Sequence, residues 1–81
     1  MPRVRYFAQA REAAGTAADV VEGTTVGEVL AAAVARHGQR LAAVLGTAAV
    51  WVDGEPAGPA DPVADGAEVA VLPPVSGGFG P

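Results

Sequence analysis

Between Thr25 and Gly38 the chain reads TVGEVLAAAVARHG. Thr25 stands three residues before Glu28, the spacing of a capping box, in which a hydroxyl and a carboxylate satisfy free amides of a helix's first turn. Val26, Val29, Leu30, Ala33 and Val34 then recur at helical spacing, and Gly38 supplies a stop. One amphipathic helix of three turns or so is therefore predicted here. Its apolar stripe needs a surface to cover.

The segments on either side supply that surface. Upstream, RVRYFA (Arg3 to Ala8) alternates and is rich in Val and aromatics, so it reads as a strand. QAREAAG (Gln9 to Gly15) fits about two turns of helix ended by glycine. ADVVE (Ala18 to Glu22) reads as a second strand. Downstream, RLAAVLG (Arg40 to Gly46) is a short helical piece, and AAVWVDG (Ala48 to Gly54) is a third strand entering an Asp-Gly turn. EPAGPADPVADG (Glu55 to Gly66) has no periodicity beyond a short edge strand. AEVAVL (Ala67 to Leu72) is the final strand. This order predicts an α+β domain: a mixed four- to five-stranded sheet with one main helix on one face.

Composition narrows the function. A chain of 81 residues makes a single domain with a modest core. Ala and Val supply most of its apolar character, so that core should be thin. Cysteine is absent, which removes disulfides, thiolate metal ligands and a cysteine nucleophile. The lone histidine, His37, is read as a polar residue favoured by the dipole at its helix end. No metal site is expected. Asp53, Asp61 and Asp65 are read as turn residues. A net charge of −4 argues against nucleic acid, whose phosphates call for a basic surface. No apolar run approaches membrane-spanning length, and MPRVRYFAQ lacks a signal peptide's apolar stretch. A cytoplasmic location, without membrane or nucleic-acid partners, is the expectation.

Strand alternation divides the sheet into two faces. With the helix over Val4, Tyr6, Val50, Val52, Val69 and Val71, the other face carries Phe7, Trp51 and Leu72 beside Arg3, Arg5, Asp53 and Glu68. An apolar group rimmed by charges on an uncovered sheet is a candidate partner surface.

The chain ends PPVSGGFGP. Pro73 and Pro74 donate nothing to a ladder and so end the last strand. At about 3.3 Å per extended residue, six residues beyond Leu72 reach roughly 20 Å. Gly77-Gly78 has no side chains and suits a narrow channel. The expected division is a domain over 1–72 and an extended tail over 73–81.

VRYFAQAREAAGT followed by DGAEVAVLPPVSGG resembles the MoaD/ThiS family, which includes the small subunit of molybdopterin synthase. The resemblance runs from Met1 to Gly78 and implies a β-grasp, ubiquitin-like fold and a sulfur carrier. It also implies the chemistry. An ubiquitin-activating-like adenylyltransferase uses ATP to adenylate the carboxylate of Gly78. Sulfur from a persulfide donor displaces AMP and leaves a thiocarboxylate. The tail then enters the large subunit of the synthase, in a heterotetramer, and gives sulfur to a pyranopterin precursor. The carrier holds no cofactor, and catalytic groups belong to its partners. Gly77 and Pro73, Pro74, Val75 and Ser76 match the family's tail. Phe7 and Leu72 match its apolar docking positions, and Arg11 matches a family arginine. Trp51 rests on alternation alone.

Phe79-Gly80-Pro81 departs from the family pattern, because it leaves Gly78 with an amide instead of a carboxylate. These residues are removed by a processing protease, are an artificial addition, or mark a copy that carries no sulfur; removal is the expectation. Two alternative functions stay open. One is a carrier for thiazole or cysteine synthesis. The other is a protein modifier, or an interaction domain with an inert tail. Lysine is absent, so no side chain here accepts an isopeptide bond.

Overall fold

The computed structural model describes residues 1–74. Its elements run β1 (Arg3–Tyr6), α1 (Ala8–Ala14), β2 (Ala18–Val20), α2 (Val26–His37), α3 (Gln39–Leu45), β3 (Ala49–Val52), β4 (Glu55–Pro56) and β5 (Glu68–Leu72). The sheet order is β2-β1-β5-β3-β4. β1 and β5 are parallel, and the other neighbours are antiparallel. The last strand therefore lies in the middle of the sheet, between the first and the third. This is the β-grasp arrangement, a mixed five-stranded sheet gripping its main helix.

Local rules account for most boundaries. Thr25 Oγ1 accepts the Glu28 amide at 3.2 Å, as the spacing predicts. The reciprocal bond differs from the expected box. Glu28 Oε1 takes the Thr24 amide at 2.8 Å and the Thr24 hydroxyl at 2.9 Å, one residue before the cap. These bonds hold the exposed Glu28 carboxyl below its usual value. The β3–β4 hairpin turns at Asp53 (φ 48°) and Gly54 (φ 86°), a positive pair of the kind two-residue hairpins require.

β2 is shorter than expected, ending at Val20 instead of Glu22. The ladder stops because its partner strand begins at Arg3. Pro2 accepts the Val21 amide at 3.1 Å but has no N–H to return.

The core lies between one sheet face and the helices. Val4, Tyr6, Val69 and Val71 from the sheet meet Ala10, Val26, Val29, Ala33 and Leu41 from the helices. Val50 and Val52 pack against this cluster from partly buried positions. As the composition implies, the core is built mostly from Val and Ala, with Leu41 the largest fully buried side chain. A core of small groups leaves little slack. Gly23 has φ +150°, and a Cβ there would sit 2.8 Å from the Val29 amide nitrogen.

Candidate docking face

Among the described residues, nothing covers the sheet face away from the helices. Arg3 and Arg5 are exposed on it, and Phe7 and Trp51 keep 38% and 37% of their surface. Phe7 follows β1 in extended conformation and precedes α1. Ala8 then adopts φ 51°, which turns the chain sharply after it. Across the sheet, Trp51 sits opposite Ala70 and Ala49 opposite Leu72. Phe7, Trp51, Ala70 and Leu72 thus line a groove of about 330 Å³, with Asp53 and Glu68 also on its walls.

Charged groups frame this groove with modest contacts. The Arg5 guanidinium lies 5.5 Å from the Phe7 ring centroid and donates to Glu68 at 3.4 Å. Both partners of that pair are about half exposed, so its worth is small. Asp53 is more than a turn residue: its Oδ1 accepts the Glu68 amide at 3.0 Å and ties the hairpin to β5. Trp51 also borders a second groove, formed with Leu30, Leu45, Val50, Pro56 and Ala57.

The structure brings Phe7, Leu72 and Trp51 together, as alternation predicts. It does not bring Arg11 to them. Arg11 is exposed on α1 and lines a separate depression with Glu12, Gly15 and Thr16. Pro73 and Pro74 follow β5 directly, and Pro74 is exposed. Val75, Ser76, Gly77, Gly78, Phe79, Gly80 and Pro81 lie outside the described residues. Sequence reasoning did not pick out Ala70, whose small side chain faces the groove beside Trp51. Its alternation with Val69 and Val71 was the available signal.

A polar cluster on the opposite side was also missed. Asp19 accepts the Tyr6 hydroxyl at 3.0 Å and Arg36 at 3.3 Å, and it contacts His37 Nε2 directly. The His37 ring meets Tyr6 edge-on, with centroids 5.7 Å apart. His37 is therefore a half-buried tie between α2 and β2, beyond any dipole effect at the helix end. Burial alone would raise the Asp19 carboxyl. Hydrogen bonds from His37 and Tyr6, with the charges of His37 and Arg36, outweigh it and hold the group low. Burial, followed by the bond to Asp19, pushes the Tyr6 phenol well up. Among the described residues there is no group of three or more His, Asp or Glu placed to hold a metal, and no helix is long and apolar enough to cross a membrane.

Comparison with known proteins places this architecture. The family model described as "ThiS family" matches residues 4–78. SAMP1 from Haloferax volcanii is 35% identical, with a TM-score of 0.80, over 95% of this chain and 98% of that one. The putative molybdopterin converting factor, subunit 1, from Pyrococcus furiosus is 25% identical, with a TM-score of 0.76, over 91% and 97%. A chain from the complex of subunits 1 and 2 of the Helicobacter pylori molybdopterin-converting factor is 23% identical, with a TM-score of 0.70, over 95% and 97%, a likeness of fold alone. No curated protein sequence matches the chain. The matched span takes in every strand and helix of the fold from Val4 onward, and the chain belongs to the ThiS family of ubiquitin-like sulfur carriers.

Proposed function

We propose that this chain is the small, sulfur-carrying subunit of a molybdopterin synthase. The observation that carries the reading is the apolar groove of Phe7, Trp51, Ala70 and Leu72, which ends at the last residue of β5, where the chain leaves toward Gly77-Gly78. A carrier needs a docking surface and a deliverable terminus side by side. Residues 1–72 dock and residues 73–81 deliver. The family match, which reaches Gly78 and stops there, supports the same division.

The chemistry follows from the groups present. A carboxylate is a poor electrophile until it bears a good leaving group. The activating enzyme therefore joins the Gly78 carboxylate to the α-phosphate of ATP and releases pyrophosphate. The terminal sulfur of a donor persulfide then displaces AMP at the carbonyl carbon to give an acyl disulfide. A second thiol on the partner enzymes cleaves its S–S bond, forming a disulfide with the donor cysteine and releasing the thiocarboxylate. With no cysteine in the chain, that carbonyl is where sulfur is held. Docked on the large subunit, the thiocarboxylate passes its sulfur to a pyranopterin precursor. The chain is a reusable cosubstrate of this step, and its partners hold the catalytic groups. A processing protease first removes Phe79-Gly80-Pro81, in the cytoplasm.

A second reading has its own support. The small archaeal modifier protein of Haloferax is more similar in sequence than the converting-factor subunits are. In that reading the activated Gly78 is transferred to an amine of another protein. The same experiment tests both. The full chain and a chain ending at Gly78 are each incubated with an adenylating enzyme, ATP and a sulfur source, and intact mass is measured. The carrier reading expects sulfur in place of oxygen on the shortened chain only. Equal thiocarboxylate on the uncut chain overturns the processing step, and amide adducts on other proteins without thiocarboxylate favour the modifier.

A further inference from the structure

β2 and β4 form the two outer edges of the sheet. An open edge offers alternating N–H and C=O groups to any extended strand, including the same edge of a second copy. Each edge here is closed, and by a different device.

On β2 the ladder to β1 uses residues of one parity. Ala17 accepts the Tyr6 amide at 2.9 Å, and the Val21 amide donates to Pro2 at 3.1 Å. Antiparallel pairing alternates, so the main-chain groups of Ala18 and Val20 point away from the sheet. Both of those carbonyls are occupied by side chains. Thr16 Oγ1 donates to the Ala18 carbonyl at 3.2 Å, and Arg36 Nη1 to the Val20 carbonyl at 3.3 Å. Arg36 is held in place by Asp19, at 3.3 Å.

On β4 the same parity argument isolates a different residue. Val52 pairs with Glu55 across the turn, and the Ala57 amide donates to Val50 at 2.9 Å. The main chain of Pro56 therefore faces outward, and proline has no N–H to offer.

We propose that Thr16 and Arg36 on β2, and Pro56 on β4, shut both sheet edges to a second copy of this chain. Association is thereby confined to the open face. A second copy is the occupant excluded because the β2 edge is self-complementary. Two antiparallel β2 strands crossing at Asp19 would set Ala18 of each opposite Val20 of the other, with every outward donor facing an outward acceptor. Val20, 49% exposed, would be covered in the process. Occupying both carbonyls on each copy takes the acceptor from all four of those bonds, and the Asp19 charges would meet at the crossing point.

Sedimentation equilibrium tests this. The natural chain should sediment at its monomer mass at all concentrations. Arg36→Met with Thr16→Val keeps side-chain bulk, frees both carbonyls and should give an apparent mass that doubles as concentration rises. Adding Val20→Pro removes an outward N–H and should restore the monomer. Pro56→Val should associate independently, through β4. Should the double variant fail to fold without the Asp19 contact, Thr16→Val alone frees the Ala18 carbonyl and is read in the same way. A folded variant that stays monomeric, or association that survives Val20→Pro, overturns the role given to Thr16 and Arg36. A folded, monomeric Pro56→Val overturns the role given to Pro56.

Discussion

Replacing Val71 and Leu72 by alanine, one at a time, separates the two faces of β5. The residues are neighbours in sequence and point to opposite sides of the sheet. Val71 is fully buried against the helices, whereas Leu72 is partly exposed on the groove. Val71→Ala deletes two carbons from a packed core. At about 0.8 kcal/mol per buried methylene, plus the cavity left behind, the loss is about 2 kcal/mol. A domain of this size is expected to hold only about 4–12 kcal/mol in all. The melting temperature should therefore fall by roughly 10 °C. Leu72→Ala removes a side chain that lines the open groove, so the space it leaves is open to solvent and seals no cavity in the core, and its melting shift should be smaller. Its cost should appear in docking. A buried interfacial anchor is worth on the order of 2 kcal/mol, roughly 30-fold in Kd. Thermal melts and calorimetric titration against the adenylating enzyme measure both quantities on each variant. Equal melting shifts for the two variants, with unchanged affinity of folded Leu72→Ala, would refute the assignment of the open face as the docking surface.

Gly23→Ala places a methyl group 2.8 Å from the Val29 amide nitrogen and 2.9 Å from Val29 Cγ2, at a φ that disfavours side chains. A loss of about 2 kcal/mol is expected, read as a lower melting temperature by circular dichroism; a neutral result would mean the β2–α2 connection yields easily. Asp19 has a lowered carboxyl pKa in the fold. Its contribution is therefore complete above the unfolded value of about 4 and is lost as pH falls through the folded one. Asp19→Asn should melt lower than the natural chain at neutral pH, with the gap narrowing below about pH 4; a constant gap across that range would remove Asp19 as the source. In a chain ending at Gly78, Gly78→Ala should leave docking nearly intact while sulfur transfer falls about a hundredfold, since a misplacement of about 1 Å at a reacting carbonyl costs that much. Loss of docking along with transfer would make the tail the main binding element.

The sequence by itself determined the features set by local geometry. The α2 stripe follows from helical spacing, the hairpin turn from Asp53-Gly54, and the thin core from the abundance of Ala and Val. The grouping of Phe7, Trp51 and Leu72 was also legible, because side chains alternate across a strand whatever its neighbours are. Tertiary structure alone decided which strands pair. β5 reaches the centre of the sheet by pairing in parallel with β1, more than sixty residues earlier in the chain, and no local signal encodes that choice. The Asp19 cluster has the same origin: Tyr6, Asp19, Arg36 and His37 belong to three elements that meet only when α2 closes over the sheet edge. The sequence places a single histidine at a helix end, where dipole and solvent are sufficient reason for it. Its bond to Asp19, and the capping of Val20 by Arg36, depend on contacts between segments 16 to 18 residues apart. Those contacts are fixed by packing, not by the periodicity of either segment.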